Sequence, residues 1–169
     1  MMISKNTNGG DTMSATNGDN SYPYVIVGGG MVAGYAIKGI RQEDPSGAIL
    51  VVSQEADVPY ERPALSKKLW LDDEFTEENI RIGAEDYANV TFKFKTTVTK
   101  IARQAKTITL DDGEVIYYQQ LLVATGGEPR KIQGPEDPNV LEFRPWSDYR
   151  NFRKSWGANP RAVTIGSGD

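Results

Sequence analysis

Gly28-Gly29-Gly30, Glu55, Arg62 and Lys67 are the residues of this chain whose types and spacing suit them to chemistry, and that chemistry is the binding of anions and sugars. Gly28, Gly30 and Ala33 fit the pattern G-x-G-x-x-G/A. The first glycine makes a tight turn, the second lets a pyrophosphate approach the backbone, and the small third residue lets a helix pack against a strand. Met31 and Val32 open that helix, where free backbone N–H groups face an anion. Glu55 lies about 20 residues on, where such folds place a carboxylate on ribose hydroxyls. Arg62 offers forked donors for a phosphate or carboxylate and a planar face for stacking, and Lys67 is a point charge one helical turn further. Glycine triplets also occur in ordinary loops, and Arg62 and Lys67 suit a solvated loop equally well. The surrounding elements decide in favour of the glycine motif.

Those elements form a nucleotide-binding βα unit. Tyr24-Val25-Ile26-Val27 reads as a buried strand running straight into the glycines, residues 31–42 wind as a helix, and residues 48–52 form a second apolar strand ending in Ser53-Gln54-Glu55. Pro23 marks the entry to the first strand. Residues 1–21, rich in Asn, Gly, Ser, Thr and Asp, are expected to be a disordered tail. Pro63 suits the first position of a short helix. The acidic stretch 71–78 reads as a solvent-facing connection, with a metal site as the sharper alternative.

Strand patterns follow at residues 90–95, 97–102, 106–110 and 115–118, with Asp111-Asp112-Gly113 turning the last pair. They predict an antiparallel meander inserted into a parallel sheet. This stretch carries Lys93, Lys95, Lys100, Arg103 and Lys106 with no acid between them. One reading is a nucleic-acid patch; the other is that strand alternation exposes lysines in any case. Asn89-Val90-Thr91 spells a glycosylation site, which means little without a secretory signal. Gln120-Leu121-Leu122-Val123 then returns the chain to the parallel sheet, and its end, Ala124-Thr125-Gly126-Gly127, is placed to meet the dinucleotide. Residues 128–138 have linker composition, residues 146–156 read as a helix, and residues 161–168 repeat the theme of a strand followed by G-x-G.

Composition narrows the chemistry. At 169 residues the chain makes one domain or slightly more. It has no cysteine and no histidine, which excludes disulfides, thiolate nucleophiles, histidine bases and the usual zinc sites within it. Any reaction must therefore come from a cofactor. A net charge of -4 and a pI near 5.0 argue against a protein built to coat nucleic acid. No apolar run approaches the roughly 18 residues of a membrane span, and the N-terminus has neither a secretory nor a transit pattern, so a soluble protein is expected.

Gly28-Gly29-Gly30 followed by Pro59-Tyr60-Glu61-Arg62-Pro63-Ala64-Leu65-Ser66-Lys67 resembles the FAD domain of the flavin-dependent pyridine-nucleotide oxidoreductases, in the branch of apoptosis-inducing factors, monodehydroascorbate reductases and ferredoxin reductases. Lys67-Lys68-Leu69-Trp70 and Ala124-Thr125-Gly126-Gly127-Glu128-Pro129-Arg130 look more like apoptosis-inducing factors, whereas the stretch around Tyr60 is equally close to monodehydroascorbate reductases. The resemblance implies an α/β fold: a Rossmann-like parallel sheet with the inserted meander, C-terminally incomplete. It divides the chain into a tail (1–21), an incomplete FAD-binding domain (22–145), and a linker helix with the first strand of a truncated NAD(P)-binding domain (146–169). Truncation and a shifted reading frame are the two explanations for the stop at Asp169.

By resemblance, Gly28, Gly30, Met31 and Val32 line the pyrophosphate turn, with Gly29 and Ala33 also among the cofactor-binding residues, and Glu55 takes the adenosine ribose. Arg62 and Lys67 contact FAD, Lys67 on the flavin side, and Val98 meets adenine through its backbone. Ala124, Thr125 and Gly126 lie at the FAD edge, and Arg144 matches an FAD-contacting arginine, with a surface ion pair as its other reading. Gln54 stands where apoptosis-inducing factors carry an acid, leaving the carboxylate to Glu55 next door. The absence of cysteine fits the branch that lacks a redox disulfide. The implied reaction is hydride transfer from NAD(P)H to FAD and then to an acceptor, with the NAD(P)H domain missing and turnover by the chain alone expected to be slight. A signalling flavoprotein that binds a partner and a nonproductive fragment are the competing readings. Cytoplasm is the default compartment and the mitochondrion the alternative.

Overall fold

The structure is a computed structural model that describes residues 20–129 and 140–155 and, singly, residues 134, 137, 157, 161 and 163. The tail over 1–19, most of the linker over 128–138 and the second glycine strand over 161–168 therefore fall largely or wholly outside the described residues.

Strands β1 (Ser21–Val27), β2 (Ile49–Val52), β3 (Val90–Lys93), β4 (Val98–Ala102), β5 (Thr107–Leu110) and β6 (Val115–Val123) form one sheet in the order β3-β2-β1-β6-β5-β4. β1 pairs in parallel with β2 and with β6, and β2 in parallel with β3; β4, β5 and β6 run antiparallel. Helix α1 (Met31–Glu43) crosses from β1 to β2. Such parallel crossovers need a helix to cover the sheet, and the sequence supplies it.

Alternation of side chains along the strands builds two cores. Ile26, Ile49 and Val51 point to one face and pack with Ala33 and Ile37 of α1. Val25, Val27, Leu50 and Val52 point to the other, where Ile108 and Leu110 of β5 and Ile116 of β6 cover them. Because β2 is covered on both faces, all four of its residues are buried, each apolar side chain contributing roughly 1.5–3 kcal/mol. A third cluster joins Tyr60, Ala64 and Leu65 near a 3₁₀ turn (Arg62–Ser66), Leu69 of α2 (Lys68–Leu71), Ile80, and Trp146 and Tyr149 of α3 (Trp146–Ser155). The expected boundary between 145 and 146 thus falls within a packed cluster.

Two strand expectations need correction. The strand beginning at Val90 is not part of the meander: it pairs with β2 as the outer parallel strand, leaving β4, β5 and the first part of β6 as the antiparallel piece. The pattern of residues 90–95 alternates as an edge strand does, and nothing local distinguishes a parallel from an antiparallel partner. Second, the strands expected at 115–118 and 120–123 are one continuous strand, β6. Its early residues pair with β5, and from Ser21↔Tyr117 to Val27↔Val123 it runs beside β1, so one strand carries the chain out of the meander and back to the glycine turn. β1 also begins at Ser21, one residue inside the expected tail.

Candidate functional site

Six segments converge at the C-terminal ends of β1, β2 and β6. They are residues 27–32, residues 52–55, Arg62, residues 96–98 with 123–128, and Arg144 with Pro145, and they line a cleft of about 730 Å³. Ligands in open parallel α/β sheets bind at this end, where neighbouring crossovers part.

The glycine turn is held from both sides. Gly28 has φ +112, and a Cβ there would lie 2.2 Å from the Ala124 carbonyl oxygen, so the closeness of β1 and β6 requires glycine. That closeness is pinned by Ala124 N–H donating to the Val27 carbonyl at 2.7 Å, while on the other side Gly28 N–H donates to the Val52 carbonyl of β2 at 2.8 Å. Gly30 differs. A Cβ there would meet nothing nearer than an Arg62 guanidinium nitrogen at 3.9 Å, so the space before it opens into the cleft. Gly30 caps α1 with no side-chain hydrogen bond, and no acid stands in the first turn, which leaves the helix N-terminus electropositive. Ala33, 0% exposed, faces the sheet and serves packing alone.

Glu55 stands across the cleft in a network. One carboxylate oxygen accepts from the Arg62 guanidinium and the other from the Tyr60 hydroxyl at 2.9 Å. Tyr60 Oη in turn accepts the Trp146 N–H at 2.8 Å. Burial pushes the Tyr60 phenol well above its ordinary range, and the Glu55 charge adds to this, so the hydroxyl stays a donor to Glu55. Arg62 also stacks on the Tyr60 ring at 5.2 Å and reaches the Arg144 carbonyl at 3.4 Å. Gln54 lines the wall with its amide donating to Thr97 Oγ1 at 3.3 Å, beside Val98.

Beyond Arg62 the cleft continues into a shallower hollow of about 340 Å³ lined by Met31, Arg62, Pro63, Leu65, Ser66, Phe143 and Arg144. Of the expected site residues, Gly28, Gly29, Gly30, Met31, Val32, Gln54, Glu55, Arg62, Val98, Ala124, Thr125, Gly126 and Arg144 line the cleft. Ala33 and Lys67 line neither hollow; Lys67 is exposed, next to Ser66. Two of the basic residues between 93 and 106 are engaged within the chain: Lys93 of β3 pairs with Glu114, which raises its pKa, and Lys106 Nζ donates to the Gln119 carbonyl at 3.2 Å.

Three contributors were not singled out by the sequence. Ser53 Oγ accepts the Glu55 N–H at 3.1 Å, and a Cβ on Gly29 would lie 2.3 Å from that oxygen, so Ser53 joins the turn to the acid. Gly34 admits Pro59 and Ile82 against α1, where a Cβ would come within 2.9 Å and 3.0 Å. Tyr60 closes the network described above. The signal for Ser53 was its place between an apolar strand and a polar pair; Gly34 and Tyr60 depend on contacts distant in sequence.

The chain matches the pyridine nucleotide-disulphide oxidoreductase family over residues 22–169. It belongs to that family. It is 33% identical over 162 residues to apoptosis-inducing factor 1, mitochondrial, of Dictyostelium discoideum, covering 85% of this chain and 30% of that protein. It is 33% identical over 150 residues to the ferredoxin–NAD(+) reductase component of the anthranilate 1,2-dioxygenase system of Burkholderia cepacia, covering 86% and 37%. Among solved structures it is similar to a chain of the covalent putidaredoxin reductase–putidaredoxin complex, with TM-score 0.65, 27% identity, and coverage of 82% of this chain and 34% of that one. The chain thus spans about a third of the length of these relatives. The family name refers to a disulphide, yet this chain contains no cysteine. Among the described residues no helix is long and apolar enough to cross a membrane.

Proposed function

We propose that the chain is the FAD-binding portion of an NAD(P)H-dependent flavoprotein oxidoreductase. The observation that carries this reading is the meeting, in one elongated cleft, of an open glycine turn at a helix N-terminus, a carboxylate with lone pairs to spare, and two guanidinium-bearing residues. A dinucleotide fits that set: a diphosphate on the amides after Gly30, a ribose diol on Glu55, and a planar ring system towards Pro63 and Phe143. The cleft volume also falls in the range of about 300–1,000 Å³ typical of small-molecule sites.

FAD held by these residues would supply the chemistry of hydride acceptance and electron transfer. The chain's own residues bind and orient. The first amides of α1 and the Arg62 and Arg144 side chains neutralise the diphosphate, Glu55 fastens the sugar, and the backbone of Ala124, Thr125 and Gly126 closes the floor beside Gly28. Lys67, exposed and lining neither hollow, has no part in the adenosine end of the site.

The described residues hold one dinucleotide cleft, so the 169-residue chain by itself is expected to bind FAD yet show little NAD(P)H-dependent turnover. A partner of ferredoxin type is the acceptor class suggested by the reductase relatives, and partner binding in signalling by the apoptosis-inducing one. Cytoplasm is the proposed compartment, with the mitochondrion as the alternative that the Dictyostelium relative's name carries. The test is direct. The purified chain is titrated with FAD, following flavin fluorescence and absorbance, then mixed with NADH and with NADPH. Saturable binding with no rapid bleaching of the flavin is expected. Failure to bind FAD overturns the cofactor assignment, and robust NADH oxidation overturns the expectation of inactivity.

A further inference from the structure

We infer that Tyr60 is the positioning residue of the ribose site, holding Glu55 in its binding orientation and linking that orientation to the first turn of α3. The inference rests on the dinucleotide reading above and extends it to a residue outside the cleft lining.

Tyr60 is 1% exposed, with its ring packed 5.3 Å from Trp146 and its hydroxyl in two hydrogen bonds. It donates to Glu55 and accepts from the Trp146 N–H. An ionised carboxylate offers about four acceptor sites. Tyr60 and Arg62 occupy one on each oxygen, which leaves about two, the number a ribose cis-diol needs. A lone glutamate at the end of a strand would pay side-chain entropy on binding such a diol. Here that cost is met in folding, because Tyr60 and Arg62 already fix the carboxylate from two directions. Arg62 is exposed to the cleft and to the ligand's phosphates, so it is free to exchange partners when a dinucleotide enters. Tyr60 is buried behind Glu55 and has nowhere else to turn. It is therefore the permanent support, and α3, through the Trp146 N–H, is what holds Tyr60 in place.

The same linkage runs in reverse: a ligand that tightens Glu55 tightens Tyr60 and with it the start of α3. ADP and 2′,3′-dideoxy-ADP separate this role from a general effect on the fold, since they differ only in the hydroxyls that Glu55 would take. Binding of both, and of FAD, is measured for the full chain and for Tyr60→Phe, which removes the hydroxyl and keeps the ring. FAD and ADP are expected to bind the variant about tenfold more weakly, with dideoxy-ADP changed less than about twofold. Equal loss for ADP and dideoxy-ADP, or no loss for either, overturns the inference while leaving FAD binding by the unaltered chain intact. If the unaltered chain binds neither FAD nor ADP, the dinucleotide reading itself fails and the inference falls with it. Should Tyr60→Phe not fold, amide exchange at Trp146 in the unaltered chain decides. Saturating ADP should slow it more than saturating dideoxy-ADP, and equal protection overturns the coupling.

Discussion

Gly28 and Gly30 look alike in the sequence and do different work, which a single methyl group on each can expose. At Gly28 the added Cβ meets a strand backbone at 2.2 Å in a positive-φ conformation, so Gly28→Ala should destabilise the fold by about 2 kcal/mol or more. At Gly30 the backbone is extended, φ -82 and ψ -168, and the space in front is open, so Gly30→Ala should cost no more than the loss of about 1 kcal/mol expected when alanine replaces a helix N-cap. Its methyl instead stands where a diphosphate must approach, and FAD affinity should fall at least tenfold, about 1.4 kcal/mol. Urea unfolding and FAD titration of the two variants check this; a Gly30→Ala protein that binds FAD normally would count against placing the diphosphate there. At this scale the motif was legible in the sequence as a contiguous spacing, although the backbone that requires glycine at position 28 is that of Ala124, distant in the chain. The engagement of Glu55 was not. Glu55, Tyr60 and Arg62 lie within eight residues, but the arrangement is completed by Trp146, 86 residues beyond Tyr60, and no spacing rule encodes that contact.

Helix α3 shows what the elements add. Its Arg150 pairs with Asp57 and with Glu77, and its guanidinium lies 4.0 Å from the centre of the Trp146 ring, while Trp146 Nε1 donates to Glu77 at 2.8 Å. The side chain is 39% exposed, so the ion pairs are screened and the stacking matters as much as the charge. Arg150→Ala is expected to lower stability by about 1 kcal/mol, with roughly half of that persisting in 1 M salt, measured by urea unfolding. Tyr60 gives the same element a pH signature. Its folded pKa is raised above the ordinary 10.0, first by burial and then by Glu55, so its contribution is complete below about pH 10 and is lost as pH rises through the folded value. The unaltered chain should therefore lose stability more steeply above pH 10 than Tyr60→Phe; parallel curves would contradict the assignment. The helices and the first two strands were legible because their apolar periods are strong. β3 was mispaired because its alternation suits a parallel or an antiparallel neighbour equally, and β6 was split because Gln119 and Gln120 suggest a break, yet a strand exposed along part of its length accepts them without interruption.

For the whole molecule, the site is a junction rather than a property of any one element. The β1–α1 turn, the end of β2, the end of β6 and the residues just before α3 reach it from positions more than a hundred residues apart, and a dinucleotide lying across them ties the sheet to the third hydrophobic cluster. Binding to the folded chain alone then adds stability by mass action, about 2.7 kcal/mol at a hundredfold excess over Kd. For a chain of this length that corresponds to a rise in Tm of roughly 5–10 °C. The rise should follow the parts of the ligand. On the proposed binding mode FAD would span both hollows and should give the full shift, ADP would reach only the glycine turn and Glu55 and should give less, and riboflavin, lacking both phosphates and the adenosine, should give almost none. Differential scanning fluorimetry with these three compounds at matched concentrations checks the order. If riboflavin stabilised the chain as strongly as FAD, binding would be governed by the hollow beside Phe143, and the glycine turn could not be what anchors the cofactor.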